Sequence, residues 1–189
     1  MGKSSRNISY AMIEGTDAKT KLKRLELDTK IKPFESEDED LNNFLKNDAK
    51  NYLKQRLAVT YLIENDTETL AYFCLSNDIV LRLFADKDAW KKIKKTIPNA
   101  KLRSIYPAIK IGRLAVAKDY AGNGFGKLIL QIVREMYSAK TQQSGCRFLT
   151  VDAYQNAVHF YQKHKFDFLT SEDENEKTRL MYYDLQAIE

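Results

Sequence analysis

Apolar residues in this chain fall into short blocks of two periods, and the order of those blocks predicts a mixed α/β fold. Leu25, Leu27, Thr29 and Ile31 alternate with charged residues as in a strand, which Pro33 ends. Ser36 and Glu39 then form a capping-box signature, with acidic residues crowding the first turn. Leu41, Phe44, Leu45, Ala49, Tyr52 and Leu53 follow at helical spacing. Residues 59–63 and 70–75 are rich in β-branched and aromatic side chains around a polar turn, so they read as a hairpin, and residues 79–84 extend the sheet.

The second half repeats the alternation. Residues 86–96 predict a basic helix stopped by Pro98, and Pro107 precedes a strand over 110–116. After a glycine run, Leu128, Ile129, Ile132, Val133 and Met136 give one apolar helical face. A strand at 148–153, a helix at 155–163, and closing strands at 166–170 and 179–183 complete the order, with 171–177 as a polar connection. The expectation is one α/β domain with a mixed central sheet flanked by helices.

A length of 189 residues with 43% hydrophobic content suits one domain with its own core. Residues 1–21 are polar and aperiodic and predict a flexible arm, leaving 22–189 as the domain. The start resembles a myristoylation signal but carries Arg6 where Ser or Thr is expected. No apolar run is long enough for a bilayer, so the expected location is the cytoplasm and no membrane partner is expected. Cys74 and Cys146 lie far apart in apolar segments, as reduced thiols do, and His159 and His164 lack a metal-ligand spacing, so no metal is expected. The net charge of +5 is modest, with part of it gathered in Lys91, Lys92, Lys94, Lys95, Lys101 and Arg103. That cluster reads either as a solvated helix face or as a phosphate-contact surface.

The most specific chemistry lies in Tyr120-Ala121-Gly122-Asn123-Gly124-Phe125-Gly126-Lys127, between the strand ending in Leu114-Ala115-Val116 and the helix after it. Three glycines at alternate positions let a backbone approach a phosphate and turn N–H groups toward it, and the helix adds the positive end of its dipole. A pyrophosphate is the natural guest, although a solvent turn or helix cap uses the same residues. No Gly-Lys-Ser/Thr closes the loop, and the spacing is shorter than Gly-x-Gly-x-x-Gly, so nucleoside triphosphates and NAD are disfavoured.

The run resembles the coenzyme A loop of the GNAT N-acetyltransferase superfamily, with Gly124 and Gly126 on its two small positions and Ala121 in the stretch that usually carries Arg or Gln. A second segment, Asn156 to Phe166, resembles the other half of that site: Ala157, Tyr161 and Phe166 match Ala-x-x-x-Tyr and the later Phe. Lys165 replaces the usual glycine there, and Tyr154 stands where Asn often does. The resemblance implies acetyl-CoA as cosubstrate, with Leu114, Ala115 and Val116 offering backbone groups to the pantetheine arm. Ala121, Gly122, Asn123, Gly124, Phe125, Gly126 and Lys127 would then hold the pyrophosphate, and Tyr161 would be the acid that protonates the departing thiolate. A base to deprotonate the amine is not identified: Glu64, Asp152 and His159 are chemically able, and each has a plain structural reading.

One subgroup is closer. Phe34, Asp40-Leu41-Asn42-Asn43-Phe44-Leu45, Ala58-Val59-Thr60-Tyr61, Ala71-Tyr72-Phe73-Cys74-Leu75-Ser76 and Ile111-Gly112-Arg113 occur in the order found in the GNAT toxins of bacterial toxin–antitoxin pairs. This resemblance implies acetylation of the amino acid on charged tRNA, inhibition by a ribbon-helix-helix antitoxin and a homodimer. Lys91, Lys92, Lys94, Lys95 and Arg103 would then meet tRNA phosphates. An acetyltransferase for a small amine, peptide or protein, and a non-catalytic coenzyme A-binding subunit, are the alternatives left open.

Overall fold

Among the described residues, seven strands form a mixed sheet flanked by helices. The computed structural model describes residues 20–98, 103–137 and 144–186. Most of the predicted arm, residues 1–19, therefore lies outside the described residues, and Lys21 already opens a strand. Two compact units can be distinguished, one comprising residues up to 75 with 113–130, the other 76–112 with those from 131 onward.

In the first unit, β1 (Lys21–Arg24), β2 (Val59–Glu64) and the start of β3 (Thr69–Leu81) pair antiparallel in that order. The expected strand over Leu25 to Ile31 is instead an ordered coil. Thr29 explains it: its hydroxyl accepts the Glu26 N–H at 2.9 Å while its own N–H donates to the Glu26 carbonyl at 3.0 Å, closing a turn. Asn65 closes the hairpin, its side-chain oxygen accepting from the N–H groups of Thr67 and Glu68 at 2.9 and 2.8 Å.

The first helical stretch starts two residues later than the capping-box reading places it. Asp38 is the N-cap, its carboxylate accepting from Asp40 and Leu41 N–H at 2.9 and 3.3 Å. Helix α1 (Glu39–Asn43) passes through a π-helical segment, Phe44–Asp48, into α2 (Ala49–Lys54). Phe44, Leu45 and Ala49 face a core with Leu25, Leu62, Tyr72, Cys74 and Ala115. The Tyr72 hydroxyl donates to the Leu41 carbonyl at 2.7 Å, and burial pushes its pKa up. Tyr52, expected on the buried face, is 40% exposed.

In the second unit, β3 continues to Leu81, so the expected extra strand at 79–84 is its end followed by a 3-10 turn, Arg82–Phe84. Helix α3 (Lys87–Lys95) buries Trp90 and Ile93. Strand β4 (Ile105–Val116) includes Pro107, whose carbonyl accepts from Arg147 N–H at 3.0 Å. The parallel ladder of β4 with β5 (Phe148–Tyr154) runs from Ala108–Phe148 to Lys110–Thr150. On its other side β5 pairs antiparallel with β7 (Thr178–Asp184), which pairs with the short β6 (Asp167–Phe168). Trp90, Ile93, Tyr106, Phe148, Leu169 and Tyr182 share this unit's core. Helices α4 (Phe125–Met136) and α5 (Val158–Lys163) complete the order, α5 following a 3-10 turn at Gln155–Ala157.

Neither cysteine forms a disulfide; Cys74 is buried and Cys146 half-buried. Burial pushes the Cys146 thiol up to about 11, which keeps it protonated and unreactive at neutral pH. Among the described residues, no helix is long and apolar enough to cross a membrane.

Replacing Asp38 by Ala removes the side chain that satisfies two orphan N–H groups of α1. It should lower stability by about 1 kcal/mol, read as a shift in the urea midpoint; an unchanged midpoint would remove Asp38 from the capping role.

Candidate active site

In the first unit, the end of β4 feeds a 3-10 turn, Lys118–Tyr120, that leads into the glycine run. Ala117 N–H donates to the Leu70 carbonyl at 2.8 Å and Lys118 N–H to the Glu35 carbonyl at 2.9 Å, while the Tyr120 hydroxyl donates to Glu68 Oε1 at 2.7 Å. The Lys118 ammonium also donates to Glu35 Oε1 at 2.9 Å, a bond that raises its pKa. The loop is thus held rigidly at its base before the glycines begin.

Gly122 and Gly124 have φ of +80° and +83°. A Cβ at either would meet nothing within 4 Å, so the left-handed backbone, not crowding, demands glycine, and the space around the loop is open. Gly126 differs: it is the second residue of α4 and has helical backbone. Phe125 is 1% exposed and its ring meets that of Tyr120 edge-on at 5.9 Å, which anchors the start of the helix.

Asn123 N–H turns back to the Tyr120 carbonyl at 3.3 Å, and Leu128 N–H donates to the Gly124 carbonyl at 3.0 Å. Among the described residues, no protein acceptor meets the N–H groups of Gly122, Gly124, Phe125, Gly126 or Lys127. The first turn of α4 holds no acidic residue, so the helix's positive end is not neutralised by its own chain. Ala121, Gly122, Asn123, Gly124 and Lys127 are exposed. Unmet N–H groups at a helix N-terminus can accept an anion. Upstream, Ala115 is a core residue while Leu114 and Val116 are half-buried.

In the second unit, the β4–β5 ladder stops at Lys110–Thr150, although β5 continues to Tyr154 in register with β7. Past β5, helix α5 ends in a Schellman motif: Phe166 N–H donates to the Tyr161 carbonyl at 3.0 Å, and Lys165 N–H to the Gln162 carbonyl at 2.9 Å. Its hydrophobic contact is Phe166 against Tyr161, rings 5.3 Å apart and edge-on. Ala157 stands just before the helix, so the matched Ala, Tyr and Phe positions are one turn and its C-cap. Lys165 has φ +67°, which is the physical reason a glycine is usual at this position.

Tyr161 is buried, and burial alone pushes its pKa up. The phenol therefore keeps its proton throughout the physiological range and is available as a hydrogen-bond donor. A residue that the sequence reading missed supports this turn: Arg134 Nη2 donates to the His164 carbonyl at 2.6 Å, and its guanidinium lies 4.1 Å over the Tyr183 ring. Nothing in its position on α4 distinguished Arg134 from an ordinary surface arginine.

The three candidate bases each have local partners or none that select them. Glu64 is buried, 3.8 Å from the Lys32 ammonium, and accepts from the Thr69 hydroxyl at 3.4 Å. Asp152 is exposed and ion-paired with Lys110, and His159 is exposed. Lys91, Lys94, Lys95 and Arg103 are all exposed; Lys92 is also exposed and ion-paired with Asp167 at 2.6 Å. Lys101 lies outside the described residues. The structure thus joins residues 114–127 in the first unit, and Tyr161 with Phe166 in the second.

Residues 98–187 match the acetyltransferase (GNAT) domain family. No curated protein sequence matches the chain. Among solved structures, a tyrosine-to-phenylalanine mutant of KacT is similar, with a TM-score of 0.71 and 25% identity over 88% of this chain and 96% of that one. AtaT complexed with acetyl-methionyl-tRNAfMet has a TM-score of 0.71 at 22% identity, covering 90% and 97% of the two chains. A tyrosine-to-phenylalanine mutant of the toxin AtaT, bound to the C-terminus of the antitoxin AtaR and to acetyl-CoA, has a TM-score of 0.69 at 20% identity, covering 90% and 96%. The likeness to AtaT is one of fold.

Lys165→Gly should stabilise the protein by about 1 kcal/mol, because glycine adopts the left-handed C-cap without the Cβ penalty. Equilibrium denaturation checks it, and a loss of stability would contradict the assignment of strain to Lys165.

Proposed function

Since residues 98–187 match the acetyltransferase (GNAT) domain family, we propose that this chain transfers the acetyl group of acetyl-CoA to the amino group of aminoacyl-tRNA. The observation that carries the donor half is the set of N–H groups of Gly122, Gly124, Phe125, Gly126 and Lys127, which no protein acceptor among the described residues meets. Ala121, Asn123 and Phe125 complete that loop, and residues 114–116 present backbone groups to the pantetheine arm. The acceptor half is supported by the fold shared with AtaT, which has been solved with acetyl-methionyl-tRNAfMet.

Acetyl-CoA, when bound, supplies an activated thioester. The acceptor nitrogen attacks its carbonyl carbon, the N–C bond forms and the C–S bond breaks. Tyr161 holds the proton that the leaving sulfur takes up, and its raised pKa keeps that proton in place until negative charge develops. The amine must arrive neutral; an α-amino group has an ordinary pKa of about 8, so about a tenth of it is already deprotonated at pH 7. Its excess proton passes to water after attack, and water returns a proton to the Tyr161 phenolate, so the tyrosine is restored in a site where no dedicated base stands out.

Lys91, Lys94, Lys95 and Arg103 contact tRNA phosphates on this reading, with Lys92 partly neutralised by Asp167. A ribbon-helix-helix antitoxin is the proposed inhibitor, supported by the AtaT–AtaR complex of the same fold. A homodimer is the proposed assembly, and the cytoplasm the proposed location.

Labelled acetyl-CoA should deliver label to charged tRNA and not to deacylated tRNA, with the label released alongside the amino acid by mild base. Label on small amines or peptides alone would make the protein an acetyltransferase of that other acceptor class; acetyl-CoA binding without any transfer would make it a binding subunit.

Tyr161→Phe should lower kcat by roughly 100-fold or more while leaving acetyl-CoA affinity unchanged. Because the folded protein binds the phenolic proton more tightly than the unfolded chain does, this group's contribution to stability is full below about pH 10 and is lost as pH rises through the folded value. Activity should accordingly show no alkaline loss from Tyr161 below about pH 10. An unchanged kcat in the variant would remove Tyr161 from the acid role.

A further inference from the structure

The first unit contains a groove of about 970 Å³ between the coil at 29–35 and the helical stretch from α1 into α2. The π-helical segment forms part of its wall, with Ala49 N–H reaching back five residues to the Phe44 carbonyl. Such widened turns occur often at functional sites. Here the consequence is a division of labour. Phe44, Leu45 and Ala49 turn into the core, while Asn43, Lys46, Asn47 and Lys50 line the groove at helical spacing.

The charge lining this groove is unusual in being unspent. Among the described residues, Lys30, Lys46 and Lys50 have no ion-pair partner, and Lys50 is half-buried. Asn47 is held by Asn43, its Nδ2 donating to Oδ1 at 2.6 Å, so the two amides are fixed relative to each other. Of the two acidic lining residues, Glu35 is already engaged by Lys118 at 2.9 Å, and Glu39 sets one carboxylate against three ammonium groups. Ile31 and Phe34 add apolar surface between the charged groups. Three free ammonium groups, neutral amides and an apolar floor suit a phosphodiester chain, whose charges repeat along an otherwise apolar sugar face. A single small anion would leave most of this volume unfilled.

One wall of the groove is fastened to the glycine run. Glu35 accepts the Lys118 N–H through its carbonyl and the Lys118 ammonium through its carboxylate. A chain lying along the coil is therefore led toward the base of the loop at Lys118–Tyr120.

We propose that this groove binds the phosphate backbone of the RNA acceptor through Lys30, Lys46 and Lys50, a contact surface additional to the lysines of α3. The inference rests on the aminoacyl-tRNA reading above. It is sequence-independent contact, positioning the RNA without reading its bases.

The test uses the full chain with lysines 30, 46 and 50 changed to glutamate, beside a second variant with lysines 91, 94 and 95 changed in the same way. Deacylated tRNA binding is followed by fluorescence anisotropy over a salt series, acetyl-CoA binding by calorimetry, and transfer to charged tRNA with labelled acetyl-CoA. The groove variant should lose at least 10-fold in tRNA affinity, with a shallower salt dependence, while binding acetyl-CoA as the unmodified protein does. The milder set Lys30→Gln, Lys46→Gln and Lys50→Gln should give an intermediate loss, and it serves if charge reversal impairs folding. Full tRNA affinity in both groove variants, with charged tRNA still acetylated, would overturn the groove and leave the functional reading intact. A protein that neither binds nor acetylates tRNA would overturn both.

Discussion

Every helix must find partners for the backbone groups at its ends, and this protein answers that demand in opposite ways at its two most informative helix termini. At the end of α5 the chain satisfies itself. Phe166 and Lys165 return their N–H groups to the Tyr161 and Gln162 carbonyls, and the motif packs Phe166 on Tyr161. At the start of α4 the chain holds back: no protein acceptor among the described residues meets the first N–H groups, and no acidic side chain neutralises them. The first arrangement fixes a phenol in an apolar setting, and the second leaves a preformed place for an anion. Both rest on left-handed backbone, at Gly122 and Gly124 in one case and at Lys165 in the other.

Lys165 also illustrates how a departure from a family pattern can be read. From sequence, a lysine at a customary glycine position weakens the resemblance. The structure keeps the geometry and accepts the strain, since φ is +67° there and the Schellman bonds are intact. Ala121, in the stretch that usually carries Arg or Gln, likewise leaves the backbone N–H groups of the loop in place.

Element existence was readable wherever a long segment kept one period, as in α4, β5 and the β2–β3 hairpin. The failures are local and physical. A threonine hydroxyl competed with the ladder and turned the expected strand at Leu25 to Ile31 into a coil. Asp38 out-competed Ser36 as the cap, and Ser36 instead donates its hydroxyl to Asn42 at 2.8 Å. The π-helical segment at Phe44–Asp48 has no signature in hydrophobic spacing, so the groove beside it was invisible. Of the candidate site, the glycine run and the turn that bears Tyr161 were legible as local structure through their motifs. Arg134 was not, because its role depends on a carbonyl and a ring brought to it by folding.

The central claim is that the unpartnered N–H groups at the start of α4 bind the pyrophosphate of acetyl-CoA. Amide chemical shifts of the labelled protein, followed during titration with acetyl-CoA and in parallel with acetyl-pantetheine, which lacks the pyrophosphate, test it most directly. The account predicts that acetyl-CoA moves the amides of Gly122, Gly124, Phe125, Gly126 and Lys127, and that acetyl-pantetheine leaves them largely in place. Equal shifts with both compounds, or acetyl-CoA shifts confined to other residues, would contradict it.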